Sequence, residues 1–506
     1  MRGPHNLIRL IRTGATFEKT GAMAEILDAM EAGPGLRVIA RLIGWPFKWL
    51  GYRGDPDQEP VVRALTALGP AYIKFGQILS TRPDIVGPKL ATQMRVLQDK
   101  LPPFPIEDAR AEVERVFERP VDELFSSFSE PVAAASIAQV HRATTRDTGR
   151  DVAVKILRPG IERAFMRDVD AFYFAAWMVE TFAPGAKRLR PREVIAHFEG
   201  VVLGELDLRL EAAASSEFAA NTQRDADFRL PAVVWPLSDR RVFTSEWADG
   251  INMGDMEAVA ASGQDLKLLA MRIIQTFLNH ALRDGYFHAD MHQGNLKLAS
   301  DGAIVAIDFG IMGRIDAYTR RVYAEILIGF LRRDYRRVAE VHFEAGYVPR
   351  DRDVEAFAQT LRSIGEPIFG QAASEISMAR LLAHLFDVTE QFGMETRTEL
   401  ILLQRTMVVV EGVARSLDPA INMWEAARPV VEHYIRTNVG PVATAKDLAA
   451  TARVLARFGP RLPDLAERAL TRAAEDARPP ERSGLPGWLW AGIGAAGALL
   501  TMAVLG

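Results

Sequence analysis

Between Tyr286 and Gly310 the sequence reads YFHADMHQGNLKLASDGAIVAIDFG, and three of its residues have the types and spacing needed to handle phosphate. Asp290 is followed five positions later by Asn295; after a turn and an apolar strand at Ala303 to Ile307 comes Asp308-Phe309-Gly310. A kinase uses this order: one carboxylate, here Asp290, approaches the phosphoryl acceptor, while an amide and a second carboxylate, here Asn295 and Asp308, hold Mg²⁺ against the phosphates. Acidic residues at loop ends are by themselves common turn formers. The loop spacing, the hairpin and the Asp-Phe-Gly occurring together in sequence outweigh that reading.

A second set lies upstream. Asp151-Val-Ala-Val-Lys155 ends an apolar strand on a lysine, where a kinase places the lysine that meets the α- and β-phosphates. Ahead of it, Ala133, Ala134, Ala135, Ser136, Ile137, Ala138, Gln139 and Val140 occupy the place of a phosphate-covering loop. Kinases use glycine there; alanine carries a Cβ and avoids positive φ, so this backbone cannot fold over phosphates in the same way. Read alone an alanine run is helix, and only the hairpin that follows supports a loop. The strand lysine needs a helical glutamate to orient it. Glu205, Asp207 and Glu211 fall in one acidic helical stretch, Gly204 to Ala213. Asp207 and Glu211, four apart, are expected on one helix face, and Glu211 is the choice.

Stepping outward, the elements that must position these groups exceed a single core. The chain has 506 residues, 48 % apolar and 25 % charged, which implies two or three globular units. A net charge of −4 with no basic domain gives no basis for a nucleic-acid partner. The absence of cysteine excludes disulfides, thiolate nucleophiles and Cys-ligated zinc, leaving oxygen or imidazole ligands, which suit Mg²⁺. The first twenty residues hold no uninterrupted apolar core and so no convincing secretory signal. Ile8, Leu10 and Ile11 beside Arg9 and Arg12 could lie on a membrane, with an ordinary packed surface helix the preferred reading.

Residues 22 to 130 read mainly as helix and contain Lys74-Phe75-Gly76-Gln77. A glycine in a helix costs about 1 kcal/mol against alanine, so a close approach is expected there, for packing or for function. From Pro131 the pattern becomes a hairpin and a third strand, and strands at Val233 to Trp235 and Val242 to Trp247 lead to a hinge near Asp249-Gly250. Beyond Arg320 the chain reads as helix to about Val439.

Taken together, Lys74-Phe75-Gly76-Gln77, the alanine loop ending Ser136-Ile137-Ala138-Gln139-Val140-His141, Val152-Ala153-Val154-Lys155, Glu205-x-Asp207 with Glu211, and His288-Ala289-Asp290 to Asn295 resemble the UbiB family of atypical kinases, tied to ubiquinone biosynthesis in bacteria. The resemblance runs from about Leu65 to about Ser416. It implies an α+β, two-lobed kinase-like fold that binds ATP and Mg²⁺. It implies that the helical extension folds across the nucleotide site and sets Lys74 and Gln77 near Glu205 and Asp207. Lys155 then pairs with Glu211, Asp290 takes the catalytic position, and Asn295 with Asp308 holds the metal. Gln293 stands where the family usually has proline. After Gly310 there is no long activation segment, and Ala289 replaces the usual arginine before the catalytic aspartate, so a peptide platform and its phosphorylation switch are not expected.

The expected organisation is a helical extension at 1–130, a small lobe with a helical insert at 131–250, a helical large lobe at 251–440, membrane-proximal helices at 441–486 and a transmembrane anchor at 487–506. The last stretch carries no charge and at about 1.5 Å per residue reaches across a hydrocarbon core of roughly 30 Å. Trp488 and Trp490 suit an interfacial belt, and Arg472, Arg478 and Arg482 favour a cytoplasmic body at a bacterial inner membrane. Quinone-precursor lipids and quinone-biosynthesis enzymes are the partners the resemblance implies, and a homodimer is allowed. ATP hydrolysis that presents lipid precursors and phosphoryl transfer to an unnamed protein or small molecule are both open.

Overall fold

The computed structural model describes residues 5–29, 37–38, 45–80, 86–94, 96–97, 103–182, 190–369, 388, 391–394 and 398–439. It divides into two compact units, Met1–Glu432 and His433–Gly506, the second described only to residue 439. The helices that matter for the site are α1 (His5–Thr20), α2 (Pro60–Leu68), α3 (Pro70–Ser80), α4 (Ile106–Phe117), α5 (Ile161–Phe182), α6 (Pro191–Glu205), α7 (Leu208–Thr222), α8 (Leu266–Asn279), α9 (Ala317–Leu331), α10 (Tyr335–Glu344), α11 (Val354–Phe369) and α12 (Thr398–Leu417). The strands are β1 (Phe125–Ala134), β2 (Ala138–Thr145), β3 (Asp151–Leu157), β4 (Phe228–Arg229), β5 (Val242–Glu246), β6 (Ile251–Asn252), β7 (Tyr286–His288), β8 (Leu296–Leu298), β9 (Ile304–Ala306) and β10 (Met312–Arg314).

The small lobe is an antiparallel sheet in the order β1-β2-β3-β5. Val152, Val154 and Ile156 alternate along β3 and are fully buried, in one apolar cluster with Ala109 and Val113 of α4. A period of two sends their neighbours Ala153 and Lys155 to the opposite face. The sheet begins at Phe125, upstream of the Pro131 boundary expected from sequence. Pro131 does not end a helix but sits inside β1, between two register shifts. Edge strands and bulges are where a residue without an N–H is tolerated. The strand expected at Val233 to Trp235 is instead an isolated bridge, Val233 to Ser245, followed by a single 3-10 turn, Trp235–Leu237, because Pro236 cannot donate to a ladder.

The N-terminal extension packs on the insert of the small lobe. Val61, Leu65, Tyr72 and Ile73 share a core with Phe165 of α5 and Phe198 of α6. Phe75 stacks on Phe172 at 4.9 Å and meets Phe198 edge-on at 5.2 Å. Gly76 explains itself at this contact: a Cβ there would stand 2.5 Å from Leu97 Cδ1 and 2.6 Å from Leu65 Cδ1. Helix α1 packs on the body, its buried Thr13 hydroxyl 2.6 Å from Tyr72 Oη. A buried arginine, Arg241, joins Glu112 of α4 to Glu162 of α5, so extension, insert and sheet share one ion cluster.

In the large lobe, α8 and α12 flank the loop that follows β7. Buried Thr406 of α12 shares its hydroxyl proton between Leu402 O at 2.8 Å and Ala289 O at 3.0 Å, and Gln293 Nε2 donates to Ser416 Oγ at 2.6 Å. Farther out, His342 of α10 is buried against Phe357 of α11 and donates from Nδ1 to Val338 O at 2.7 Å. Burial lowers its pKa from 6.5 to about 4. The membrane-proximal helices and the anchor expected at 441–486 and 487–506 lie outside the described residues. Among the described residues no helix is long and apolar enough to cross a membrane.

Two outcomes follow from this packing. His342 is neutral in the folded chain and takes a proton readily when unfolded, so its contribution to stability is complete above pH 6.5 and declines as pH falls toward about 4. Replacing it as His342→Gln should make the loss of stability between pH 7 and pH 5, read as urea midpoints, shallower by up to about 1.4 kcal/mol per pH unit; equal slopes would contradict a neutral buried ring. Thr406→Val keeps the volume and leaves the Ala289 carbonyl without its donor, which should cost about 1–2 kcal/mol in the same measurement.

Candidate active site

Three separate elements meet at Lys155. From β3 its Nζ donates to Glu211 Oε1 at 2.7 Å and Oε2 at 2.8 Å, from α7, and stands 3.4 Å from Asp308 Oδ2, which follows β9. Burial opposes the charge on Lys155, yet Asp308 and Glu211 outweigh it and hold the lysine pKa above its ordinary value. Glu211 is 9 % exposed, and burial pushes its pKa up against the pull of Lys155. For Asp308, burial is more than offset by Lys155 and by the Gly310 N–H, which donates to Oδ1 at 3.0 Å, so this carboxyl lies below the usual range. Its side chain remains 44 % exposed, open toward an incoming cation.

The conformation of this cluster is fixed by an aromatic stack. His288, buried, lies 5.7 Å from the Phe309 ring, which lies 6.3 Å from Phe218 of α7; Phe218 in turn meets Phe228 of β4 at 5.6 Å. Phe309 is therefore docked inside, and the Asp308 that precedes it faces Lys155. His288 Nδ1 accepts from the Asp290 N–H at 3.1 Å, which sets the proton on Nε2; burial lowers the ring's pKa.

Asp290 and Asn295 form a second pair. Asn295 Nδ2 donates to Asp290 O at 3.1 Å and lies 3.4 Å from Asp290 Oδ2, while His292 Nε2 lies 3.6 Å from the same oxygen. With its nitrogen committed to Asp290, the Asn295 amide keeps its oxygen as a donor to a metal. The Ile307 N–H donates to Asn295 O at 3.1 Å, tying this loop to the residue before Asp308. An amide oxygen and a carboxylate are hard ligands of the kind Mg²⁺ takes, alongside phosphate oxygens and water. Among the described residues no three carboxylate or imidazole side chains converge as a closed metal cage.

The alanine loop is a tight turn between β1 and β2. Ala133 and Ala134 end β1, opposite Val140 and Gln139; the Ala135 N–H donates to Ala138 O at 2.8 Å. Ser136 is buried and Ile137 O accepts from the Arg158 N–H at 2.8 Å. Val140 lies opposite Lys155 in register and shares its face. Gln139 does something else: its Oε1 accepts from the Phe104 N–H at 3.0 Å, and its Nε2 donates to Phe104 O at 3.3 Å and to His141 Nε2 at 2.9 Å. Its amide clasps the extension and is not directed at phosphates. Arg158, which sequence reasoning missed, donates to Ala135 O at 3.0 Å and lies over the Phe104 ring at 5.4 Å. Its only signal was a charged residue directly after the β3 strand.

The extension residues separate. Lys74 Nζ is 2.9 Å from Glu205 Oε1, both side chains largely buried. Gln77 Nε2 instead donates to Leu97 O at 3.3 Å. The stretch Gly204 to Ala213 is not one helix: α6 ends at Glu205, and Asp207 caps α7, accepting from the Arg209 N–H at 3.1 Å. The same carboxylate pairs with the Arg209 guanidinium at 2.7 Å, which lowers its pKa. Asp207 and Glu211 therefore do not share a helix face. Aspartate stabilises a helix start better than an interior, and that preference decides the break.

Comparison with known proteins identifies the family. A family described as ABC1 atypical kinase-like domain matches residues 96–342, and one described as UbiB helical domain matches residues 361–422. The Probable protein kinase UbiB of Aliivibrio fischeri (strain MJ11) is 39 % identical over 419 residues, covering 82 % of this chain and 77 % of that protein. The Probable protein kinase UbiB of Marinobacter nauticus is 38 % identical over 412 residues, covering 80 % and 75 %. A solved chain of Rv3197 from Mycobacterium tuberculosis, determined as a complex with erythromycin, is similar at a TM-score of 0.49 and 26 % identity, covering 70 % of this chain and 90 % of that one. On the two family matches and the relatives at 38–39 % identity over most of its length, the chain belongs to the UbiB family of atypical kinase-like proteins.

Proposed function

We propose that this chain is a Mg²⁺-dependent, ATP-binding kinase-like enzyme that supports ubiquinone biosynthesis from the membrane. The observation that carries the reading is the single ammonium of Lys155 held between Glu211 and Asp308 from three elements. In this reading Glu211 aims Lys155 at the α- and β-phosphates, and Asp308 and Asn295 hold the metal. When bound, Mg²⁺ neutralises phosphate charge and orients the terminal phosphoryl group. Asp290, kept in place by Asn295 and by the His288 ring, receives the proton of the attacking hydroxyl or water. Ala133, Ala134, Ala135, Ser136, Ile137, Ala138 and Val140 bound the phosphates, with Gln139 acting through Phe104. Lys74 and Glu205 fix the extension, Gln77 serves it by a local bond to Leu97, and Asp207 supports the start of α7, the helix that carries Glu211.

Hydrolysis coupled to handling of a quinone-precursor lipid is favoured over peptide phosphorylation, because only a short strand, β10, lies between Gly310 and the start of α9 at Ala317. That leaves little chain for a peptide-docking segment. The apolar stretch 487–506 serves as the membrane anchor in this reading. Incubating the purified chain with labelled ATP and a membrane extract distinguishes the two chemistries: steady phosphate release without a labelled product supports hydrolysis, and a stoichiometric labelled acceptor supports transfer. Quinone profiling of cells lacking the chain, complemented with wild type or with Asp290→Asn, tests the pathway.

Asp308→Asn should remove Mg-nucleotide binding while leaving the aromatic stack intact. Wild type should gain about 2.7 kcal/mol of stability when Mg-ATP is present at about a hundred times its Kd, and the variant should gain nothing. An equal thermal shift in both would refute the metal assignment.

A further inference from the structure

The outer face of the N-terminal extension carries a cluster of side chains that the nucleotide site does not use. Helix α1 is docked along its inner side: Thr13, Ala15 and Thr16 are buried, and Arg9 pairs with Asp168 of α5. Against α1 lies a 3-10 turn, Trp45–Leu50, followed by Gly51 and Tyr52. The approach is close. A Cβ on Gly51 would stand 2.4 Å from Ala15 O, Lys19 Nζ donates to Gly51 O at 2.7 Å, and the Tyr52 N–H donates to Thr16 Oγ1 at 3.1 Å. These contacts fix what the turn presents outward. Trp49 is 75 % exposed, and Phe47 and Tyr52, two and three residues from it, are exposed as well. The Arg12 guanidinium lies 5.8 Å from the centre of the Tyr52 ring. Ile8, one helical turn before Arg12 on the same side of α1, is 62 % exposed.

We propose that this face rests on an anionic bilayer surface, with Trp49 and Tyr52 seated among the headgroups and Arg12, Lys48 and Arg53 meeting lipid phosphates. The contact is separate from the nucleotide site and from the apolar stretch 487–506. Charge selects the partner. From Ala32 to Gly54 the sequence holds Arg37, Arg41, Lys48 and Arg53 and no acidic residue. Arg37 is held by Asp28, whereas Arg12, Lys48 and Arg53 are exposed around the aromatic cluster. Indole and phenol rings join an apolar body to a polar tip, which suits the depth of a bilayer where one end is dry and the other wet. Cations beside such rings are drawn to an anionic leaflet. A protein partner fits less well, because lysine is depleted where proteins bury surface against each other. Acidic residues resume at Asp55 and Asp57, which sets the edge of the contact.

The chain has no cysteine, so one introduced thiol carries an environment-sensitive dye at a single place. Trp49→Cys puts the dye in the patch, and Asp351→Cys puts it at an exposed position of the large lobe as a reference. Full-length chain labelled at either position is mixed with vesicles of phosphatidylcholine, alone or with an equal share of phosphatidylglycerol. Emission from position 49 should shift to the blue with the anionic vesicles and be quenched by brominated acyl chains, while position 351 stays in water. Adding Lys48→Glu and Arg53→Glu should abolish the shift. Salt at about 1 M, where the screening length is about 3 Å, should at least halve it without those two substitutions. A dye at 49 that stays in water beside anionic vesicles overturns the proposal, as does an equal shift with both kinds of vesicle or an equal shift at 351. A shift at 49 that needs no lipid and grows with protein concentration assigns the face to a second copy of the chain and overturns it too. None of these outcomes bears on the nucleotide reading.

Discussion

Lys155 brings one positive charge to a place where two carboxylates, Glu211 and Asp308, converge within hydrogen-bonding reach. Each member depends on the others. Without the lysine the buried Glu211 and the half-exposed Asp308 would repel one another; without them the lysine would be a largely buried charge with no counterpart. Because the three come from a strand, a helix and the loop after another strand, satisfying them fixes how α7 sits on β3 and how the Asp308 segment sits beneath both. The apolar stack from His288 through Phe309 and Phe218 to Phe228 does the same task without charge. Electrostatics and packing thus specify one arrangement, the agreement between levels that distinguishes a defined site from a collapsed cluster.

Much of this could be read from the sequence because the motif residues lie at short local spacings. Asp290 and Asn295 sit in one loop, and Asp308 follows a short hairpin, so their proximity is a local matter. The Lys155 strand was readable as an apolar Val-Ala-Val run that ends on a lysine after a hairpin. What sequence could not supply were decisions made by tertiary context. Asp207 has the composition of a helical face yet spends its carboxylate capping α7 and holding Arg209. Pro131 has the composition of a boundary, but an edge strand with bulges accommodates it. Gln139, inside the alanine loop by position, turns its amide to Phe104, thirty-five residues earlier, which no local pattern announces. Thr406 and Ser416 support the catalytic loop from more than a hundred residues downstream.

The extension is integrated with the small lobe through more than apolar contact. Glu112 meets Arg241 at the start of β5, Lys74 meets Glu205 at the end of α6, and Phe75 fills the angle between α5 and α6. Burying polar partners in this way gives little net stability, and its value lies in permitting a single docking geometry. Gly76 adds a steric condition, since the close approach of Leu65 and Leu97 leaves no room for a side chain.

The clasp on Phe104 makes the alanine turn something other than a self-contained flap. Its main-chain oxygen at Ala135 is tethered by Arg158, and Arg158 and Gln139 are both spoken for by a residue that lies ahead of the first strand. A fragment cut to begin at β1 would carry the whole alanine turn together with Lys155, Glu211 and Asp308, and yet lose the brace that shapes the turn. A fragment that keeps this brace must therefore start before Phe104.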